Sequence, residues 1–266
     1  MKHDTPEFED IAQRGLILQT QVGSGVYGTA IEGQDDRDEM GICVEPPEYV
    51  IGLKKFEQYE YRTKPMHVRS GAGDLDLTIY SLRKWMRLAL AGNPTVLIPL
   101  FAQGDDIVFR NSFGKQIQAN ASIIISQQAG LRFIGYLQSQ RERMLGSKSQ
   151  RTNRPELVEK YGFDTKFAMH AVRLGLQGVE LMSTGRITLP IPEPDLTWLR
   201  DLRQGKHTKD ETLDACRNLE NQILVAMDHS SLPEKPDYDQ ANKWLVDMYI
   251  EMWRMDMYPE MWRDFP

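Results

Sequence analysis

Apolar residues in the first part of the chain are concentrated in short strand-like stretches, and in DLDLTIY they recur at every second position. This period is typical of strands that bury one face. The stretches lie at 15–23, 39–46, 55–62 and 74–80. After the first of them, SGVYGTAI predicts a short helix. Together these elements indicate a small mixed sheet.

The segment after the fourth predicted strand changes to helical spacing. In SLRKWMRLALAG the apolar residues recur three or four positions apart, with Ser81 placed as the N-cap. Gly92, followed by Asn93 and Pro94, is a stop signal. A strand that leads directly into a helix therefore ends this part of the chain.

From about Ser112 onward the apolar residues recur almost entirely at helical spacing. Two polar stretches interrupt the pattern: 146–156, predicted as a mobile loop, and 230–237, predicted as a second connector. The expected fold class is therefore α+β. We expect a domain at 1–111, with a small mixed sheet and flanking helices, and a helical C-terminal domain at 112–266.

The C-terminal tail contains a near-repeat, YIEMWRMD and YPEMWRDF. Its Trp253 and Trp262 are expected to pack on the core or in a subunit contact, as aromatic side chains usually do. Oligomerisation through the tail stays open, and we assign these residues no chemistry.

The composition of the chain argues against several classes of protein. The 266 residues carry 38 acidic and 32 basic side chains, a net charge of -6, which does not indicate a general nucleic-acid binder. Cys43 and Cys216 are too few for a disulfide framework, and the five histidines have no zinc-ligand spacing. The N-terminus lacks a signal-peptide core, and the longest apolar run, 96–102, is too short for a bilayer. We expect a soluble cytoplasmic protein with no membrane partner.

Gly23 and Ser24 follow the first predicted strand and precede the short helix. A glycine lets a ligand approach the backbone, and the amides and the Ser24 hydroxyl are donors that suit a phosphate. The alternative is an ordinary tight turn.

Asp36 and Asp38 enter the second predicted strand. Residues two apart in an extended segment share a face, with Cβ atoms about 6 to 7 Å apart, so both carboxylates can bind magnesium. A solvated acidic loop is the alternative. Two metal ions need a third carboxylate, for which Asp76 is the better candidate and Asp74 the reserve. Either could instead be a strand-edge residue.

The segment DTKFAMHAVRLGLQ predicts an amphipathic helix. Lys166, His170, Arg173 and Gln177 fall within a sector of about 60°, beside a stripe of packing residues. This cationic edge is either a solvated face or a phosphate-binding surface.

The motif GS…YG…D-x-D…GI, with DLTIYSLRKWMRLALAGNP downstream, resembles the nucleotidyltransferase superfamily of DNA polymerase β type. The resemblance is to its branch found with RNA-repair genes and in bacteriophages. YGFDTKFAMHAVRLGLQGVELMSTGRITLP and LRDLRQGKHT are similar to the helical part of that branch, so the resemblance covers most of the chain. The chain departs from the pattern at Asp35, where a serine commonly precedes the first metal aspartate.

The resemblance implies metal-dependent transfer of a nucleoside monophosphate from a nucleoside triphosphate such as ATP, with pyrophosphate leaving. Ser24 would bind the β or γ phosphate. Asp36 and Asp38 would coordinate two Mg²⁺ ions, with Mn²⁺ as an alternative, and Asp76 would bind the ion on the acceptor side.

The resemblance also implies nucleotide-binding roles for Gly23, Lys166, His170 and Arg173. An RNA 3′ end, including a compact tRNA end, is the favoured acceptor. Nucleotidylation of a protein or of a small molecule is the alternative, and a non-catalytic nucleotide-binding protein is a further one.

Overall fold

The computed structural model describes residues 3–31, 33–65, 67–147 and 154–254. Within these ranges the chain forms two compact units. The described residues of the first unit lie within Met1–Leu90, Thr95–Ile124 and Pro236–Pro266, and those of the second within Ala91–Pro94 and Ile125–Lys235.

The strands of the described residues all belong to the first unit. They are β1 (Leu16–Val22), β2 (Arg37–Cys43), β3 (Gln58–Arg62), β4 (Leu75–Ser81) and β5 (Ile107–Arg110). They form one sheet in the order β3-β4-β2-β1-β5, in which only β2 and β4 pair in parallel. This mixed sheet, together with the helices, confirms the α+β class.

The helices of the described residues alternate with the strands at first and then follow one another without strands. They are α1 (Pro6–Arg14), α2 (Gly23–Val26), α3 (Pro47–Val50), α4 (Leu82–Leu90), α5 (Pro94–Leu97), α6 (Ser112–Ala119), α7 (Ala121–Ile124), α8 (Gln128–Met144), α9 (Pro155–Tyr161), α10 (Thr165–Thr184), α11 (Asp195–Arg203), α12 (Lys209–Asp228) and α13 (Tyr238–Met252).

Strand β5 is the strand that the sequence pattern missed. It has four residues and pairs with β1 at an edge of the sheet, where three of its side chains are exposed. An edge strand this short has no buried face that requires apolar alternation. The other four strands lie where the pattern predicts them.

Apolar side chains of α1 and of the sheet form one hydrophobic cluster. Its buried members are Ile11, Ala12, Cys43, Tyr49, Phe56, Tyr59, Leu77 and Ile79. Full burial of an aliphatic or aromatic side chain contributes about 1.5–3 kcal/mol. The alternation of β4 therefore fixes which face of the strand meets this core and which face stays available for polar groups.

Strand β4 runs directly into α4, as the sequence predicts. The Ser81 hydroxyl accepts a hydrogen bond from the Lys84 N–H at 3.2 Å, which satisfies a donor at the start of the helix. The indole of Trp85, fully buried, donates to the Val96 carbonyl at 2.9 Å. These bonds anchor α4 beside the strand that carries Asp76.

The last described helix, α13, is tied to the end of β2 by a buried polar link. The Tyr249 hydroxyl donates to Glu45 Oε2 at 2.8 Å and accepts from the Arg83 N–H at 3.0 Å. The Trp253 indole donates to the Glu45 carbonyl at 3.0 Å. Trp253 is buried, as expected, whereas Trp262 lies outside the described residues.

The second unit is built on α10, which packs against α8, α11 and α12. Small residues allow α12 to approach closely: a Cβ added to Gly175 or to Gly178 would lie 2.7 Å from Leu219 or Ile223. Asp164 caps α10 by accepting from the N–H groups of Lys166 and Phe167, each at 3.0 Å. At the other end, Gly185 in the left-handed conformation ends the helix.

The two units divide the chain differently from the expected boundary after residue 111. Helices α6, α7 and α13 belong to the unit that contains the sheet. As functional domains, 1–111 and 112–266 stay a prediction. The expected loop at 146–156 extends over residues outside the described ranges and ends where α9 begins at Pro155.

None of the described helices combines the length and the apolar character that crossing a membrane requires.

We expect Glu45→Gln to flatten the dependence of the free energy of unfolding on pH in the acidic range. Burial raises the pKa of Glu45 above its ordinary value of 4.5, so the folded chain binds this proton more tightly than the unfolded chain. The stabilisation that Glu45 contributes is fully present below pH 4.5. It is lost as the pH rises through the raised pKa, by about 1.4 kcal/mol for each unit by which the pKa is raised. Urea unfolding at a series of pH values measures it.

Glu48→Gln is the matched control, because this carboxylate is exposed on α3. It should keep the pH dependence of the wild type. Equal flattening in both variants would contradict the assignment to the buried group.

Candidate active site

The Gly23-Ser24 turn lies where β1 ends. Gly23 has a φ of +70°, and the following helix α2 is a single turn of four residues. Ser24 is buried, and its carbonyl accepts from the Thr29 N–H at 3.0 Å, which closes the loop after the turn. A helix this short has no developed dipole, so the turn offers backbone amides and a hydroxyl as individual donors.

Gly23 lies directly against the carboxylate of Asp38. A Cβ added at Gly23 would overlap that carboxylate, and the positive φ independently favours glycine. The absent side chain therefore does more than allow a ligand to approach. It allows the Gly23-Ser24 turn to lie in contact with the carboxylate of Asp38, one of the candidate metal ligands.

Strand pairing brings Asp76 to the same place. In the parallel pairing of β2 with β4, Asp38 is the partner of Asp76, and in the antiparallel pairing of β1 with β2 it is the partner of Val22, next to the turn. Asp36 immediately precedes β2 and shares its face with Asp38. Strand register thus brings Asp38 and Asp76 together near the end of β1, and Asp36 joins them from the residue before β2.

The three carboxylates form a cluster that we call the acidic triad: Asp36, Asp38 and Asp76. Each offers one oxygen, and these oxygens lie within 4.8 Å of one another. All three residues are half-buried, so they are open to solvent and to ligands. In the described part of the chain, no other group of three histidine, cysteine or acidic residues brings its ligand atoms together in this way.

Asp74, the reserve candidate, has a different role in the structure. Its Oδ2 accepts from the Gly71 N–H at 3.0 Å, its Oδ1 lies 3.7 Å from Lys64 Nζ, and its carbonyl accepts from the Arg37 N–H at 2.9 Å. These contacts hold the loop that enters β4. The geometry therefore brings Asp76, and not Asp74, to the triad.

Asp35, at which the chain departs from the superfamily motif, has a local structural role. Its Oδ2 accepts from the Ile31 N–H at 2.8 Å, which braces the loop that leads into β2. A carboxylate can make this local hydrogen bond as a serine hydroxyl would. The triad is thus assembled with Asp35 at this position.

The sequence pattern missed two side chains that contact the triad, Arg62 and Ser70. Arg62 Nε donates to both carboxylate oxygens of Asp76, and Ser70 Oγ donates to one of them. The signal for Arg62 was its position at the end of β3, directly across from Asp76. Ser70 lies in an irregular loop and carries no such signal.

The acidic triad fits a divalent cation of the magnesium type. Mg²⁺ and Mn²⁺ prefer carboxylate oxygens, and the triad supplies three carboxylates without sulfur or imidazole ligands. The chemistry of the donors thus agrees with the expected cofactor.

Lys166, His170 and Arg173 lie on α10 in the second unit. Burial lowers the pKa of His170 well below its ordinary value, and the nearby charges of Arg173, Lys166, Arg154 and Arg203 lower it further. His170 is therefore neutral near pH 7, so the positive charge of this edge comes from lysine and arginine. Arg173 is buried and donates to Gln177 Oε1 at 2.7 Å.

Comparison with known structures adds one finding. The chain is similar to the crystal structure of a nucleotidyltransferase-like protein from Exiguobacterium sibiricum, with 11% sequence identity over 92% of this chain and 87% of that chain, and a TM-score of 0.31. Among curated protein sequences, none matches the chain.

The sequence also matches a model of a protein family. A model described as the RNA repair pathway DNA polymerase beta family, RlaP, matches residues 2–247, which include the triad, the turn and α10. This match confirms the resemblance carried by the sequence motifs. The chain belongs to the RNA repair pathway DNA polymerase beta family.

Proposed function

We propose that the protein transfers a nucleoside monophosphate from a nucleoside triphosphate to the 3′ hydroxyl of an RNA and releases pyrophosphate. The family is one of the DNA polymerase β type, which indicates a nucleotidyltransferase. The proposal rests above all on one observation, the acidic triad assembled against the Gly23 turn. The proposed metal ligands and the proposed phosphate donors would then meet at one point, as such a transfer requires.

The proposed reaction is a displacement at the α phosphorus. The oxygen of the acceptor hydroxyl forms a bond to this phosphorus, and the bond from phosphorus to the oxygen that bridges to the β phosphate breaks. Pyrophosphate leaves with that bridging oxygen, and the hydroxyl proton passes to water. No protein nucleophile is needed, so the side chains position the reactants and offset negative charge.

The two sides of the triad suit two different roles. The Gly23-Ser24 turn is next to Asp38, so its backbone donors and the Ser24 hydroxyl would bind the β or γ phosphate. Asp76 is on the neighbouring strand β4, so it would face the acceptor. Asp36 and Asp38 lie between these groups and would hold the metal, which when bound neutralises charge on the transferring phosphoryl group.

Lys166, His170 and Arg173 are proposed to bind phosphate groups of the nucleotide. The charges of Lys166 and Arg173 suit a phosphate, and several cations surround His170. Since His170 is neutral near pH 7, its contribution is a single N–H donor. Most of the binding free energy from this set would therefore come from the two cations.

An RNA 3′ end is favoured as acceptor because the family is named for RNA repair. We also propose that the protein is located in the cytoplasm and that its site binds two Mg²⁺ ions.

We expect Asp36→Asn, Asp38→Asn and Asp76→Asn each to reduce nucleotide transfer at least about 100-fold, because each removes a charge from the metal site. Transfer is measured with each of the four α-labelled triphosphates, Mg²⁺ and RNA, together with pyrophosphate release. Oxidation of the terminal ribose of the RNA should abolish labelling, since it removes the 3′ hydroxyl.

The control is Asp105→Asn, an exposed carboxylate outside the triad, which should keep wild-type activity. Transfer that survives in the double variant Asp36→Asn, Asp38→Asn would disprove the mechanism. Label on a protein or a small molecule would reject the RNA acceptor, and nucleotide binding without pyrophosphate release would identify a non-catalytic binding protein.

Gly23→Ala should reduce the rate of transfer at least about tenfold, because its methyl group would displace the Asp38 carboxylate. Gly104→Ala is matched to it, since Gly104 also has a positive φ but has open space around its Cα. Initial rates of both variants, beside their thermal unfolding, separate the clash from backbone strain. Similar loss of activity in the two would refute the role given to Gly23.

Lys166→Gln and Arg173→Gln should each weaken binding of a non-hydrolysable triphosphate about tenfold, the typical loss of one charge-assisted hydrogen bond. His170→Gln should weaken it less, because the imidazole is neutral. Calorimetric titration measures the affinities, with Lys209→Gln on the exposed start of α12 as control. Wild-type affinity in both charge variants would remove these residues from the nucleotide site.

A further inference from the structure

Arg62 and Asp76 form a salt bridge at the ends of two neighbouring strands. The residues are direct partners in the antiparallel pairing of β3 with β4. Arg62 Nε donates to Oδ1 and to Oδ2 of Asp76, each at 3.0 Å. The two side chains are 25% and 26% exposed, so water screens the pair only in part.

Ser70 completes a closed set of hydrogen bonds around this carboxylate. Ser70 Oγ donates to Asp76 Oδ1 at 2.9 Å and accepts from Arg62 Nη2 at 2.7 Å. Arg62 Nη2 also approaches the Val68 carbonyl at 3.4 Å. The plane of the Asp76 carboxylate is thus set by donors from β3 and from the loop between β3 and β4.

Arg62 also offsets the charge of the whole triad. Three carboxylates whose oxygens lie within 4.8 Å repel one another, and with Arg62 the formal charge of the group falls from −3 to −2. Asp76, to which Arg62 is bonded, has a carboxylate oxygen within 4.8 Å of oxygens of Asp36 and Asp38. The guanidinium therefore interacts with all three members.

We propose that Arg62 is a positioning residue for nucleotide transfer, which fixes the orientation of Asp76 toward the acceptor and offsets the charge of the acidic triad. The inference rests on the proposed function. Arg62 acts through Asp76 and is not itself a catalytic residue. Ser70 supports the same orientation from the loop.

The shape of the guanidinium is as important as its charge. A planar group with several N–H donors can bond Asp76 and Ser70 together, whereas the ammonium of lysine is a point charge on a flexible chain. Arg62→Lys therefore preserves the charge of the site and loses the fixed geometry. The two variants Arg62→Ala and Arg62→Lys separate these two contributions.

We expect Arg62→Ala to lower kcat at least about tenfold at saturating Mg²⁺, the usual loss when a partner of a metal ligand is removed. The KM for the triphosphate should change less than about threefold, because the donors of the Gly23-Ser24 turn are untouched. Arg62→Lys should recover less than half of the lost kcat. Ser70→Ala should show a smaller loss in the same direction.

Metal binding gives a readout independent of turnover. Titration of the free protein with Mn²⁺, followed by electron paramagnetic resonance, should show affinity for Arg62→Ala equal to or tighter than that of the wild type. The reason is that the variant lacks the cation that brings the charge of the group to −2, so its triad attracts Mn²⁺ with the full charge of −3. Arg110→Ala, an exposed arginine on the other edge strand β5, is the matched control for both measurements.

Three results would overturn the inference: wild-type kcat in Arg62→Ala at saturating Mg²⁺, full recovery of kcat by Arg62→Lys, or Mn²⁺ binding weakened tenfold or more. The failure of the proposed function would look different, because wild type and Arg110→Ala would then also transfer no nucleotide. In that case the Mn²⁺ titration still decides whether Arg62 offsets the charge of the triad. Thermal unfolding of each variant verifies that the sheet is intact.

Discussion

The parallel pairing of β2 with β4 is the constraint on which the candidate site depends. It places Asp38 beside Asp76, although two like charges at this distance repel. The pairing is maintained because the opposite faces of the same strands are buried in the apolar cluster with α1. The free energy of core packing therefore holds together carboxylates that would separate in an unconstrained chain.

A large part of the fold and of the site could be predicted from the sequence. Asp36 and Asp38 share a face because of the period of a strand, and Asp76 opens the most regular alternation in the chain. The sequence could not show that Gly23 lies on Asp38, because that contact comes from the register between β1 and β2. It could not separate Asp74 from Asp76 either, since only the pairing of β4 determines which one joins the triad.

The missed features share a physical cause. Strand β5 has no buried face, so it leaves no periodic signal, and Ser70 reaches Asp76 from an irregular loop.

The helical spacing of Lys166, His170 and Arg173 was visible in the sequence, but the charge state of His170 was not. Burial decides whether an imidazole is protonated, and burial depends on residues far away in the chain.

The link between Glu45 and Tyr249 joins residues that are far apart in the chain, and the second unit lies between them. During synthesis, all residues of the second unit leave the ribosome before Tyr249 does, so that unit can fold while the sheet still lacks its last helix. Nascent chains expose incomplete apolar surfaces over such intervals, and chaperones bind surfaces of this kind. The order of translation thus means that the unit with the sheet, which carries the triad, gains helix α13 only after the whole second unit has been synthesised.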